Sequence, residues 1–140
     1  MDRSEEARRW LAQAKRDLKA AKDSARNENY EWACFQAQQA AEKAVKALLY
    51  AYGAYAWGHS VVELLENIRR ICSISIPEEL YRAARELDRH YIPTRYPNAF
   101  PSGYPGMYYD KHTADKAIEE AEKILTWVIE KLREIGIEIS

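Results

Sequence analysis

The sequence predicts an all-α fold: a five-helix, up-and-down antiparallel bundle similar to a four-helix bundle. Three observations predict this fold. Apolar residues recur at three- and four-residue spacing along most of the chain, which is the period of an amphipathic helix. Only five glycines and five prolines occur in 140 residues, and four of the prolines lie within residues 93–110. The connections between the other helical stretches are mostly short, as in antiparallel bundles.

Length and composition limit the classes of protein to which the chain can belong. The chain has 140 residues, of which 47% are hydrophobic and 31% charged, so we expect one globular domain over residues 1–140. A net charge of −1 excludes a protein that coats nucleic acid through overall positive charge, although it allows a local basic patch. Cys34 and Cys72 form no CxxC motif. With no visible signal peptide and no apolar run long enough to span a membrane, the sequence predicts a cytoplasmic protein.

The first two predicted helices cover residues 3–26 and 29–52. The first has one apolar stripe, formed by Ala7, Trp10, Leu11, Ala14, Leu18 and Ala21. The second is rich in alanine, which has the highest helix propensity and leaves room for a neighbouring backbone to approach closely. We therefore expect the second helix to be the central one.

Three further helices are predicted over residues 60–72, 77–91 and 112–135. Ser60 and Glu63 form a capping-box pattern at the start of the third helix. Pro77 suits the first position of the fourth helix, and Thr113 is the expected N-cap of the fifth.

Residues 93–110 differ in kind from the rest of the chain. They contain four prolines, two glycines and five aromatic residues, so no regular helix can run through them. The segment is also too aromatic for a flexible linker, and we expect an ordered loop packed by its own side chains. Arg95 and tyrosines such as Tyr96 could hold phosphates and stack on bases, or could anchor a dimer interface or cover the bundle.

Polar residues at helical spacing form the first candidate site. Gln39, Glu42 and Lys46 fall on one face of the second helix. They could hydrogen-bond a nucleotide, or they could form a solvated stripe with a Glu42–Lys46 ion pair. His59, just before the third helix, could help to bind an anion at that helix start, where simple capping by Ser60 is the alternative.

Arg85 and His90 form a second candidate, an R-x4-H motif. In a metal-independent ribonuclease, the arginine would hold the phosphate while the histidine moves a proton at the 2′-hydroxyl. Residues five apart on a helix do not share a face, so a common site would need a broken helix or a second chain. The alternative is a solvated arginine row paired with Glu86 and Asp88. The three histidines are scattered, and we expect no metal site and no cofactor.

Several segments, in this order, resemble the HEPN domain (higher eukaryotes and prokaryotes nucleotide-binding). They are Ala33–Leu49 (ACFQAQQAAEKAVKALL), the His59-Ser60 pair before a leucine-rich helix, and Leu87–Ala99 (LDRHYIPTRYPNA). The resemblance covers roughly residues 4–132. It implies an up-and-down helical bundle, commonly a homodimer, and small prokaryotic proteins that often pair with a minimal nucleotidyltransferase in a toxin–antitoxin-like system.

The resemblance also implies two kinds of activity. Some members are ribonucleases that use an R-x4-6-H motif across the dimer, and Arg85 and His90 match that spacing. Other members bind nucleotides without catalysis. Glu86 stands where the ribonuclease pattern usually has a polar residue such as asparagine, and Ile92 stands where partners of the nucleotidyltransferase carry an acceptor tyrosine.

The leading hypothesis is therefore a nucleotide- or partner-binding module. Its expected ligand-binding residues are Gln39, Glu42, Lys46, His59, Arg95 and Tyr96. The alternative is a metal-independent endoribonuclease in which Arg85 holds the phosphate and His90 is the acid or base.

Overall fold

Five α-helices make up the structure, a computed structural model that describes residues 2–140. They are α1 (Arg3–Arg26), α2 (Tyr30–Ala51), α3 (Val61–Cys72), α4 (Glu78–Asp88) and α5 (Lys111–Glu134). Two short 3₁₀ turns, Pro97–Ala99 and Pro105–Met107, lie between α4 and α5, and residues 2–140 contain no β-strand. The predicted all-α, five-helix fold is confirmed.

Helix α2 is central, because it contacts each of the other four helices. Its alanines lie fully buried against these neighbours at positions that include Ala37, Ala40, Ala41 and Ala44. Small side chains let the neighbouring helices pack closely around α2. Larger aliphatic side chains such as Leu64, Leu87 and Ile124 fill the rest of the core.

The N-termini of the helices agree only in part with the sequence analysis. Ser60 caps α3 as expected, because its hydroxyl accepts a hydrogen bond from the Glu63 amide at 3.2 Å. At α5 the prediction that Thr113 is the N-cap was wrong. Asp110 is the N-cap and accepts from the Thr113 amide at 2.8 Å, which places Thr113 in the first turn. Similarly, Pro77 is the N-cap of α4 and not its first helical residue.

Helix α4 ends at Asp88, three residues before the predicted end at 91. The backbone then turns: the His90 amide donates to the Leu87 carbonyl at 2.9 Å, and the Tyr91 amide donates to the Asp88 carbonyl at 3.2 Å. The physical reason is a contact that the local sequence does not reveal, since the Asp88 side chain binds the start of α3. His90 and Tyr91 are therefore not on the α4 stripe.

The segment 93–110 is the ordered, irregular loop that its composition predicts, and we call it the Pro/Tyr loop. The Phe100 and Tyr108 rings stack with centroids 4.1 Å apart, and the Tyr108 hydroxyl donates to the Ser102 carbonyl at 2.9 Å. Pro105 is buried in the second 3₁₀ turn, which contacts α2. The loop thus packs on the central helix.

None of the helices formed by residues 2–140 is both long enough and apolar enough to cross a membrane.

Candidate functional site

A buried ion pair lies on the face of α2 that the sequence analysis singled out. Glu42 and Lys46 are only 3% and 7% exposed, and the Lys46 Nζ atom lies 3.1 Å from Glu42 Oε2. The Gln39 amide donates to Glu42 Oε1 at 3.3 Å, so all three predicted residues come together. The Glu42–Lys46 ion pair that the alternative expected is present, but it is buried rather than solvated, because Trp10 of α1 and His59 of the α2–α3 connection lie against it.

Burying two charges is costly, and the surroundings of the pair show how the cost is offset. The Lys46 Nζ atom lies 5.6 Å from the centre of the Trp10 ring, which supplies a cation–π contact from α1. Glu42 accepts hydrogen bonds from Lys46 and Gln39 and faces the His59 ring. A buried carboxylate with several donors is stable only as long as those donors remain in place.

His59 joins this pair from the connection between α2 and α3. Its Nδ1 atom lies 3.3 Å from Glu42 Oε1, its ring stacks on Tyr91 at 5.0 Å, and its side chain is 59% exposed. An ionised carboxylate only accepts hydrogen bonds, so Nδ1 is the nitrogen that carries the proton. The Nε2 atom is the ring nitrogen that does not face Glu42.

Asp88, which the sequence analysis considered only as a partner of surface arginines, joins the site through hydrogen bonds to the start of α3. Its two carboxylate oxygens accept from the Val61 amide at 2.9 Å, the Val62 amide at 3.1 Å and the Ser60 hydroxyl at 3.0 Å. Gln38, which is fully buried on α2, also donates to Asp88 at 3.3 Å and to the His59 carbonyl at 2.7 Å. The Asp88 carboxylate thus connects the end of α4 to the start of α3 and, through Gln38, to α2.

Arg95, the first polar residue of the Pro/Tyr loop to reach the site, is held by aromatic rings. Its Cζ atom lies 4.4 Å from the Phe35 ring centre, 4.7 Å from Tyr91 and 5.1 Å from Tyr96. Its Nε and Nη2 atoms donate to the Tyr91 carbonyl. No carboxylate within the described chain, residues 2–140, forms an ion pair with Arg95. We call the contiguous group Gln38, Gln39, Glu42, Lys46, His59, Asp88, Tyr91, Arg95 and Tyr96 the polar cluster.

Arg85 and His90 are not part of the polar cluster, and in one chain they have different partners. Arg85 is exposed and pairs with Glu78 at 2.8 Å. The Nδ1 atom of His90 lies 3.5 Å from the Tyr109 hydroxyl. Burial lowers the pKa of His90 below its usual 6.5, and the nearby Glu86 carboxylate opposes this shift only in part. Burial also raises the pKa of Tyr109 to about 12.

Other features of the surface offer fewer groups suited to ligand binding than the polar cluster does. A groove of about 540 Å³ between α1 and α2 is lined by Arg9, Trp10, Ala12, Gln13, Arg16 and Lys43, and its Trp10 ring contacts Lys46 of the cluster. Within residues 2–140, no group of three or more His, Cys, Asp or Glu side chains is arranged to hold a metal ion. We therefore take the polar cluster, with its buried charges and its free guanidinium, as the candidate site.

Sequence reasoning missed Gln38, Asp88 and the role of Tyr91. Gln38 carries a signal, because it lies four residues after Cys34 and three before Ala41, on the buried face of α2. A polar residue at such a position needs partners. The contacts of Asp88 with Val61 and of Tyr91 with His59 carry no such signal, because these partners lie 27 and 32 positions away.

Comparison with known proteins identifies the class to which this five-helix bundle belongs. The model of the HEPN domain family matches residues 7–132, and the chain belongs to the HEPN domain family.

Its similarity to individual proteins agrees with this assignment. The crystal structure of TT1696 from Thermus thermophilus is 47% identical, with 94% of this chain and 100% of that chain covered and a TM-score of 0.88. ST0689, described as an archaeal HEPN homologue, is 39% identical, with 94% and 99% covered and a TM-score of 0.77. Among curated proteins, "Putative toxin MJ1304" of Methanocaldococcus jannaschii is 27% identical in an alignment of 137 positions, with 91% of this chain and 89% of that protein covered.

Proposed function

We propose that this HEPN-domain protein binds a nucleotide at the polar cluster and acts as one component of a toxin–antitoxin-like pair. Its second component would be a minimal nucleotidyltransferase, and the HEPN protein itself would be a homodimer. The toxin-like part of the proposal is supported by the similarity to "Putative toxin MJ1304". The nucleotide part is supported by the chemistry of the cluster.

The environment of Arg95 is the single observation on which the proposal of nucleotide binding depends. Its guanidinium is held by a backbone carbonyl and three aromatic rings, and no acidic partner within residues 2–140 neutralises its charge. A fixed guanidinium loses little freedom when it binds, and its planar donors match phosphate oxygens. Arg95 is therefore the residue that would hold the phosphate.

The neighbouring residues supply what the rest of a nucleotide needs. Tyr96 is 47% exposed and offers a ring face on which a base can stack. Gln39 is partly buried, and its amide oxygen is a possible acceptor for a base amine or a ribose hydroxyl. Glu42 and Lys46 would act mainly by fixing His59, since both are nearly inaccessible.

Arg95→Ala is expected to weaken nucleotide binding by about 10- to 100-fold, because a hydrogen bond to a charged group contributes about 1.5–3 kcal/mol. Calorimetric titrations with AMP, ATP and GTP measure the loss. Arg82→Ala is the matched control, since Arg82 is an exposed arginine for which residues 2–140 provide no ion pair. Equal affinities for wild type and Arg95→Ala, or no heat with any of the three nucleotides, would refute the site.

The partner half of the proposal has a separate test. The protein is co-expressed with a candidate minimal nucleotidyltransferase from the same genome and purified through a tag on one component. A stable complex that survives gel filtration supports the pair. Failure of the two proteins to co-purify contradicts the partner half while leaving the nucleotide titrations to decide the other half.

A second candidate function is a ribonuclease that uses Arg85 and His90 from two chains. The observation that favours it is the lowered pKa of His90, because a neutral imidazole at pH 7 can accept a proton. If His90 is the base, RNA cleavage should persist as the pH falls to 6.5 and decline only below it. His90→Ala should then reduce the rate about 100-fold or more. Undiminished cleavage by His90→Ala would eliminate this candidate.

A further inference from the structure

We propose that the groove between α1 and α2 binds an acidic amphipathic helix of a partner protein. The groove has a volume of about 540 Å³, and its lining residues are Arg9, Trp10, Ala12, Gln13, Arg16 and Lys43. The inference goes beyond the proposed function, because it assigns a partner of defined chemistry to a surface outside the polar cluster. It does not depend on nucleotide binding.

The part of the groove that α1 supplies is a stripe on the outer surface of that helix. Arg9, Ala12 and Arg16 follow one another at spacings of three and four residues, and all three are exposed. A rise of about 1.5 Å per residue places the two arginines about 10 Å apart along the helix, with the alanine between them. Two cations therefore flank a position at which the side chain is small.

Trp10 provides an apolar wall for this small position. Its ring packs against Tyr50, with ring centroids 5.2 Å apart, and its indole nitrogen donates to the Glu6 carboxylate at 3.0 Å. The ring is thus fixed in place, and it lines the groove together with Ala12. An apolar side chain such as leucine can therefore bury its surface against the indole and the Ala12 methyl group.

The charged side chains that line the groove are all cationic. Arg9 lies 3.7 Å from Glu6 and Lys43 lies 2.5 Å from Asp17, but these two carboxylates are only 28% and 16% exposed and do not line the groove. Arg16 forms no ion pair within residues 2–140. The groove therefore offers a positive rim, with one unpaired guanidinium, to a ligand that carries carboxylates.

The shape and the charge of the groove together favour a helix as the ligand. The groove is open to solvent between two helices, whereas sites for small molecules enclose most of their ligand. A helix that lies along it packs as one more helix of the bundle. Glutamates seven positions apart on such a helix match the separation of Arg9 and Arg16, and leucines midway between them face Trp10.

A nucleic acid fits the same groove less well. Trp10 is the one aromatic residue that lines it, whereas single strands bind to a series of aromatic rings and unpaired cations. Glu6 and Asp17 already occupy two of the three cations. A phosphate backbone would have to approach these carboxylates, and the repulsion opposes binding.

The C-terminal segment shows how α1 holds another piece of polypeptide. The Arg8 Nε atom donates to the Glu138 carbonyl at 3.1 Å, and the Lys15 Nζ atom donates to the Ser140 carbonyl at 3.2 Å. Arg16 borders both this region and the groove at Trp10. Cations of α1 thus already bind a chain laid beside the helix, and the groove leaves the other side of α1 free for a second one.

The test is fluorescence anisotropy with a labelled helical peptide of about 18 residues. The peptide carries two glutamates seven positions apart with two leucines midway between them. We expect saturable binding with a Kd below about 100 μM at low ionic strength, and weaker binding as salt is added. Peptides with glutamine for each glutamate, or alanine for each leucine, should bind about 10-fold more weakly or worse.

A charge exchange tests the role of Arg16. Arg16→Glu should weaken binding of the acidic peptide about 10-fold, because it replaces attraction by like-charge repulsion. A peptide with lysine for the glutamate that faces position 16 should then bind Arg16→Glu more tightly than wild type, a gain that misfolding cannot produce. Arg82→Glu is the matched control, since Arg82 is exposed on α4 and outside the groove.

Three outcomes overturn the proposal. They are no saturable binding of the acidic peptide, equal weakening by Arg16→Glu and Arg82→Glu, and binding of an oligouridine in place of the peptide that Arg16→Glu abolishes. Titration of AMP, ATP and GTP with the peptide present at saturation separates this proposal from the nucleotide site. The nucleotide affinities should be unchanged by the peptide, and a failure to bind nucleotides would leave the peptide result standing.

Discussion

Asp88→Ala is expected to lower the free energy of unfolding by about 3 kcal/mol, because its carboxylate accepts hydrogen bonds from two α3 amides, the Ser60 hydroxyl and the Gln38 amide. Removing it leaves the start of α3 without this acceptor and deprives the fully buried Gln38 of one partner. For a chain of this length the melting temperature should fall by roughly 10 °C. Urea denaturation followed by circular dichroism measures the change.

A neighbouring acidic residue supplies the control for Asp88. Glu86 on the same helix pairs with Arg89 at the surface, so Glu86→Ala should change the free energy of unfolding by less than about 1 kcal/mol. Asp88→Asn, which keeps one oxygen acceptor, should fall between Asp88→Ala and wild type. If Asp88→Ala is no less stable than Glu86→Ala, the carboxylate does not fasten α4 to α3 as described.

Glu42→Ala is expected to be similarly destabilising, by about 3–5 kcal/mol, because it leaves the Lys46 ammonium buried without its carboxylate. The Trp10 ring alone cannot offset the desolvation of that charge. The free energy of unfolding, extrapolated from urea titrations at pH 7, provides the measurement.

The double variant Glu42→Ala/Lys46→Met tests whether the unpaired charge or the lost packing causes the destabilisation of Glu42→Ala. Methionine removes the ammonium while retaining an unbranched side chain of similar length, so much of the lost stability should return. A double variant that is as unstable as Glu42→Ala would mean that the unpaired charge is not the cause.

The fold could be predicted from the sequence because its signals are local. The apolar period of residues 3–26 and the alanines of α2 depend on neighbours three and four positions away, and the five helices follow from them. The end of α4 could not be predicted in this way. It depends on Asp88 binding backbone amides of α3, which lie 26 and 27 residues earlier in the chain.

The candidate site, like the fold, could be predicted from the sequence only where its contacts are local. Gln39, Glu42 and Lys46 share a face by spacing alone, and the sequence therefore indicated their contact. That this face is buried, and that His59 completes it, depends on how the α2–α3 connection folds back over α2. The stacking of Arg95 on Phe35 joins the Pro/Tyr loop to a helix 60 residues earlier, and no local pattern encodes it.

The polar cluster therefore combines two roles. Glu42, Gln38 and Asp88 connect α2, α3 and α4, and the same contacts fix His59 and Tyr91 at the surface. Variants that test binding are consequently best chosen from its exposed members, such as His59 and Tyr96, and from Arg95, rather than from the buried ion pair.

A crystal structure of the protein with its tightest-binding nucleotide tests the central claim most directly. The account predicts a phosphate oxygen at hydrogen-bond distance, about 3 Å, from the Arg95 guanidinium, with the base against Tyr96. A nucleotide whose phosphates lie instead in the groove at Arg16, or between Arg85 and His90 of two chains, would contradict the assignment of the polar cluster as the binding site.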